Sequence, residues 1–248
     1  MKCSHQVIQG DKKMNVALPF VGRAREVALL QRLHAGREHG LIVGPAGVGK
    51  SALISHTGGL LPLLICPQSE RLSEICASLE IHLGMETAGQ RLIPRKNRLL
   101  RVLAQRRQTV VFDGVAWTTP KLSAFLECVS QRAPVWILTR SEHPWDIGRV
   151  WPLVARFARL ELHPFHLAQT RALVEAAVSA GQIPAAALDA VERLHHLSAG
   201  NPRALRGLLD GLATGDYDPH KLFDLNLLDL DRRIKQLPSA TDYHAART

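Results

Sequence analysis

Aromatic residues are scarce, at 5% of the 248 residues. Cysteine is scarcer, with four residues, Cys3, Cys66, Cys76 and Cys128, and no CxxC pair among them. That spacing excludes a zinc-ribbon arrangement and a disulfide framework, and a reducing cytoplasm is the expected compartment. No apolar run reaches the roughly 18 residues that a membrane span requires. Residues 1–10 lack the apolar stretch of a secretory signal. The twelve histidines, His195-His196 included, show no metal-ligand spacing with cysteines or acids. What remains is an ordinary globular composition, 46% hydrophobic and 21% charged.

Acidic residues are missing from one long stretch. Between Thr87 and Phe112 there is none, while Arg91, Arg95, Lys96, Arg98, Arg101, Arg106 and Arg107 all fall there. The far end reverses this balance: residues 209–242 hold seven aspartates against Lys221, Arg232, Arg233 and Lys235. The formal net charge of +9 is therefore unevenly distributed, and it points to anionic partners.

Hydrophobic patterning predicts an α/β chain. Short apolar runs at 41–43, 60–66, 109–112, 135–139 and 157–162 read as strands. Helical patterns at 23–33, 51–57, 69–83, 95–107 and 121–131 alternate with them. Such alternation predicts a parallel sheet covered by helices on both faces. After Pro164 the strand patterns stop, and 169–180, 184–198 and 202–212 read as three helices. The expected organisation is a flexible segment over 1–17, a nucleotide-binding domain over 18–165, a small three-helix lid over 166–215 and a tail with an amphipathic helix over 216–248.

Gly44-Pro45-Ala46-Gly47-Val48-Gly49-Lys50-Ser51 fits the pattern GxxxxGK[ST], and Ala52 continues it into a helix. Glycines let a backbone wrap closely around phosphate oxygens and aim its N–H groups at them. The lysine reaches the β- and γ-phosphates, and the serine hydroxyl binds Mg²⁺. The helix that follows directs its partial positive charge at the same anion. An apolar strand before the loop and a helix after it are the context this chemistry requires. Asp113 ends the run Thr109-Val-Val-Phe and is the candidate carboxylate for the Mg²⁺ shell, beside Ser51. No NKxD guanine-reading sequence occurs, which favours ATP over GTP.

With these motifs the chain resembles the P-loop NTPases of the AAA+ and STAND type. Phe20-Val21-Gly22-Arg23, followed by Glu26, resembles the FVGR box of those proteins, and the resemblance implies a place in the adenine pocket. Asp113 resembles their Walker B aspartate. Trp136-Ile-Leu-Thr-Arg140 resembles the sensor 1 strand, which implies that Arg140 reads the γ-phosphate. Gly200-Asn-Pro202-Arg203 resembles their lid motif, in which the turn meets adenine and Arg203 has a sensor 2-like place. Many members follow the Walker B aspartate with a water-polarising glutamate; here Gly114 follows, so hydrolysis is expected to be slow or partner-stimulated.

On a helical wheel, Leu99, Val102 and Leu103 form an apolar stripe, with Arg98 and Arg101 opposite and Arg95 and Arg106 at the rim. An acid-free face of this kind suits a nucleic-acid backbone, a solvated surface or an acidic protein. Phe223, Leu227, Leu230, Ile234 and Leu237 form a short heptad seam, expected to dock on the lid or on a partner. Together the residues point to an ATP-dependent switch that controls oligomer assembly or partner binding. The alternatives are an ATP-dependent DNA-binding assembly factor and an ATP-binding interaction protein with negligible turnover.

Overall fold

Four or five consecutive apolar residues, bounded by turns, suffice for a strand buried on both faces. β1 (Gly40–Val43), β3 (Thr109–Phe112) and β4 (Val135–Thr139) are strands of this kind, while the edge strands β2 (Leu63–Cys66) and β5 (Ala158–Glu161) are only partly covered, with Arg159 and Glu161 exposed. A computed structural model describes residues 18–67, 71–85 and 91–235. The expected segment 1–17 and residue Leu237 of the seam lie outside the described residues. All pairings are parallel, in the order β2-β3-β4-β1-β5.

Alternate strand residues feed two cores, as the pleat requires. On one face Leu41, Val110, Phe112 and Ile137 pack with Ile75 and Leu79 of α3 (Leu72–His82), Leu99 and Leu103 of α4 (Leu92–Ala104), and Phe125 of α5 (Pro120–Ser130). On the other, Ile42, Val111, Trp136 and Leu138 pack with Leu30 of α1 (Ala24–Ala35) and Leu53 of α2 (Lys50–Gly58). The expected architecture, a parallel sheet flanked by helices, is the one found.

Boundaries moved where proline chemistry was decisive. α4 starts at Leu92, one turn before the expected Arg95, because Pro94 is accommodated in a first turn. It ends at Ala104, so Arg106 and Arg107 lie beyond the helix. β2 begins at Leu63, immediately after Pro62.

The chain divides into two compact units between Phe165 and His166. The first also holds the short helices α6 (Pro144–Ile147) and α7 (Trp151–Val154); the second contains α8 (Leu167–Ser179), α9 (Val191–Ser198), α10 (Pro202–Ala213) and α11 (Leu222–Lys235). The single helix expected over 184–198 is instead a 3-10 turn, Ala185–Leu188, and then α9. α11 packs on α10 within this unit, through a face other than the seam. Leu225, Leu228 and Asp229 are buried, whereas Phe223, Leu227, Leu230 and Ile234 are exposed. The reason lies on α10: Gly211 leaves open the space that Leu228 fills, with its Cδ1 where a Cβ would stand. Among the described residues, no helix is long and apolar enough to cross a membrane.

Candidate functional site

Parallel strands send all their C-terminal ends to one edge of a sheet. β4 lies between β1 and β3, with Val43 opposite Thr139 and Phe112 opposite Ile137. Gly44, Arg140 and Asp113 therefore leave the same edge from three strands. The Gly44 N–H donates to the Thr139 carbonyl at 3.3 Å, and the Asp113 N–H donates to the Cys66 carbonyl at 3.0 Å. These bonds extend the ladders into the loops and fix where the functional side chains begin.

The phosphate loop needs its glycines for stated reasons. Gly47 and Gly49 have φ of 79° and 99°, a region that side chains disfavour. Gly44 is squeezed instead: a Cβ there would stand 2.7 Å from the Leu162 carbonyl oxygen. Gly49 is the N-cap of α2, so the first N–H groups of that helix open into the loop. Ser51 and Ala52 lie exposed in that first turn. The Lys50 Nζ donates to the carbonyls of Gly44 (2.6 Å) and Pro45 (3.0 Å), closing the loop on itself.

Asp113 and Arg140 both act electrostatically on the Lys50 ammonium. Burial is the main cause that lowers the pKa of the Lys50 ammonium below its ordinary value; Asp113 opposes the shift and Arg140 adds to it. Three residues singled out from separate motifs thus share one field. Asp113 is half-buried and Arg140 is exposed. Among the described residues no group of three or more His, Cys, Asp or Glu gathers to hold a metal. A Mg²⁺ site of one carboxylate, one hydroxyl, waters and nucleotide phosphates has no need of such a group.

The Phe20–Arg23 segment departs from the expected pocket role in its arginine. Arg23 is buried, and its Nη2 donates to the Val48 carbonyl (3.1 Å) and the His163 carbonyl (2.7 Å). Its Nη1 pairs with Glu26 at 2.9 Å, and the guanidinium sits 5.0 Å from the centre of the Phe165 ring. Arg23 is thus a strut between the phosphate loop and the chain leaving β5. Phe20 stacks on His56 of α2, with ring centroids 4.1 Å apart, and Val21 and Gly22 link the two. Pro202 and Arg203 belong to the helical unit. There the Asn201 side chain accepts from the N–H groups of Arg203 (3.0 Å) and Ala204 (3.3 Å), capping α10, and Arg203 is exposed.

The basic stretch is not one uniform face. Arg95 is a correction to the rim position assigned to it: its guanidinium grips Glu80, whose side chain is 2% exposed. Glu80 lies outside the acid-free stretch, so sequence distance hid the pair. Arg98, Arg101 and Arg106 are exposed.

No known family model and no curated protein matches the chain. Solved structures do. Cdc6p from Pyrobaculum aerophilum superposes with a TM-score of 0.63 at 13% identity, over 82% of this chain and 64% of that one. The ORC1 protein of Aeropyrum pernix, solved in complex with DNA, gives 0.62 at 16% identity, over 90% of this chain and 70% of that one. A STAND protein with a tetratricopeptide repeat sensor from Pyrococcus horikoshii gives 0.52 at 16% identity, over 91% of this chain and 34% of that one. This chain therefore spans under two thirds of the Cdc6p chain and about a third of the STAND protein. At these identities the likeness establishes the fold alone, an α/β P-loop NTPase fold.

Proposed function

We propose that this chain binds ATP with Mg²⁺ and acts as a nucleotide-dependent switch controlling assembly or partner binding. One observation carries the proposal: Lys50, Asp113 and Arg140 meet in one field at the edge of a parallel sheet, beside a glycine loop that opens a helix. Backbone N–H groups of 44–51 and the Lys50 ammonium would hold the phosphates, and Ser51 and Asp113 would hold the cation. Bound Mg²⁺ neutralises phosphate charge and draws electron density from the terminal phosphorus. Arg140 would read the terminal phosphate, and Arg23 would keep the loop in shape from beneath, through its bonds to the Val48 and His163 carbonyls. Gly114 occupies the place of a water-polarising acid, so the switch is read as slow to turn over unless a partner completes it. Fluorescent ATP titration is the test: Lys50→Ala should weaken binding about a hundredfold, roughly 2.7 kcal/mol. Unchanged affinity would overturn the proposal.

A second role, contact with DNA, is favoured by the acid-free outer face of α4, where Arg98 and Arg101 are exposed while Arg95 is turned to Glu80. The likeness to an ORC1 structure in complex with DNA supports the same idea. Phosphate contacts release counterions, so duplex affinity should fall steeply with salt. Arg98→Glu with Arg101→Glu should abolish it while ATP binding persists. Salt-independent or mutation-insensitive binding would remove this role.

A further inference from the structure

The end of β4 ties three loops of the candidate site together. β4 lies between β1 and β3, so its last residues meet the loops that leave both neighbours. The Leu138 carbonyl accepts from the Val115 N–H at 3.1 Å, which fastens the loop carrying Asp113. The Thr139 carbonyl accepts from the Gly44 N–H at 3.3 Å, which fastens the first residue of the phosphate loop. The Thr139 side chain serves the third loop. Its hydroxyl donates to the Ser141 carbonyl at 2.8 Å, across Arg140. Ser141 continues the turn, its own hydroxyl accepting from the His143 N–H at 2.9 Å. Short hydroxyl-to-backbone bonds of this kind fix a turn from within.

Arg140 therefore sits in a turn whose two flanking residues are bonded to each other. Its side chain is exposed, and no ion pair among the described residues includes it. Where the guanidinium points is thus set by the backbone beneath it. Thr139 suits that task. It is 3% exposed, and a β-branched side chain has little χ1 freedom. A hydroxyl has a single proton to donate, and here the Ser141 carbonyl takes it. The Thr139 hydroxyl is thus engaged in holding the turn. Glu142, the next residue of that turn, pairs with Arg159 of β5 at 2.9 Å and anchors its far side.

We propose that Thr139 is the positioning residue for Arg140. Its hydroxyl holds the turn that aims the guanidinium at the terminal phosphate of ATP, and so sets how strongly the site prefers ATP to ADP. The two nucleotides differ by that one phosphate, so a displaced guanidinium costs ATP affinity and leaves ADP affinity alone. Thr139→Val keeps the branched shape and removes the proton, whereas Thr139→Ser keeps the proton. The proposal rests on the reading of Arg140 given above, and its test separates the two.

Equilibrium binding of ATP and of ADP to the full chain, each with Mg²⁺, gives the ratio of the two affinities. Wild type should prefer ATP, and Arg140→Ala should lose most of that preference. Thr139→Val should lower the ratio about tenfold, with ADP affinity within about twofold of wild type. Thr139→Ser should restore the ratio. The double variant Thr139→Val with Arg140→Ala should fall no further than Arg140→Ala alone, because one residue acts through the other. Thermal unfolding of each variant runs alongside. A merely structural Thr139 lowers both affinities together with Tm and leaves the ratio unchanged, and that result overturns the proposal. So does a double variant that falls below Arg140→Ala, since Thr139 then acts on nucleotide by itself. Ser141→Ala covers the case in which Thr139→Val does not fold. It loosens the same turn at a half-buried position and should lower the ratio about threefold; an unchanged ratio there also overturns the proposal. An unchanged ratio in Arg140→Ala removes the reading of Arg140, and the role of Thr139 with it. A ratio lost in Arg140→Ala but kept in Thr139→Val removes the role of Thr139 alone.

Discussion

Arg95 clasps Glu80 across α3 and α4, with its Nη2 at 2.5 Å from Oε2 and its Nε at 2.9 Å from Oε1. This bidentate geometry is the strong form of the arginine–carboxylate pair. It separates Arg95, which serves the fold, from Arg98 and Arg101, which are exposed on the same helix.

Removing Arg95 takes the paired guanidinium from a nearly fully buried carboxylate. Arg95→Ala should therefore lower unfolding stability by about 3 kcal/mol. Arg101→Ala, at an exposed position further along the same helix, should change it by less than about 0.5 kcal/mol. Urea denaturation of both variants gives the comparison. Equal effects would show that the pair does not support the helix packing.

Arg23 gives a parallel prediction for the phosphate loop. Its guanidinium holds the Val48 and His163 carbonyls from inside the protein, so Arg23→Ala leaves buried acceptors unpaired. ATP affinity should fall about tenfold and stability by roughly 2 kcal/mol. Arg23→Lys should recover little of either, because one ammonium does not reproduce the planar fork. Isothermal titration and thermal unfolding measure the two effects. A variant that loses affinity at unchanged stability would place Arg23 on the nucleotide instead.

Gly44 tolerates no side chain. Gly44→Ala sets a Cβ against the Leu162 carbonyl oxygen and Val48 Cγ1, and the loop must move to admit it. Overpacking of this kind costs about 1–3 kcal/mol. ATP binding should be lost while far-UV circular dichroism is retained. A fully active alanine variant would show that the loop is softer than this geometry requires.

Acid should loosen the sheet at His39. Its Nδ1 accepts from the Val135 N–H at 3.1 Å, which requires a neutral ring with its proton on Nε2. Burial lowers its pKa from the ordinary 6.5. The folded state then binds its proton less readily than the unfolded chain, so this stability is present above pH 6.5 and is lost as pH falls through the lower folded value. His34, lowered by burial and by Arg37, adds in the same direction. His39→Gln should flatten, without abolishing, the stability decline as pH falls below 6.5. An unchanged slope would remove His39 from the acid response.

Much of this was legible because local chemistry was decisive. The glycines of 44–49 require particular backbone angles, and strand runs such as 135–139 have no other outlet for their apolar residues on both faces. Other features depended on partners distant in sequence. α11 carries two overlapping apolar stripes, and only Gly211 on α10 selects Leu225 and Leu228 over the seam of Phe223 and Leu227. The alanine-rich 185–188 turn favours helix locally, yet it does not join α9. Arg23 carried a motif resemblance, and its burial against Val48 and His163 could be found only in three dimensions.

The central claim is that Lys50, Asp113 and Arg140 form one nucleotide site. Its most direct test is equilibrium binding of ATP, with and without Mg²⁺, to wild type, Lys50→Ala and Asp113→Ala. The account predicts that Lys50→Ala loses binding in both conditions, whereas Asp113→Ala loses only the gain that Mg²⁺ confers. Wild-type affinity in Lys50→Ala, or a Mg²⁺ response that survives Asp113→Ala, would contradict it.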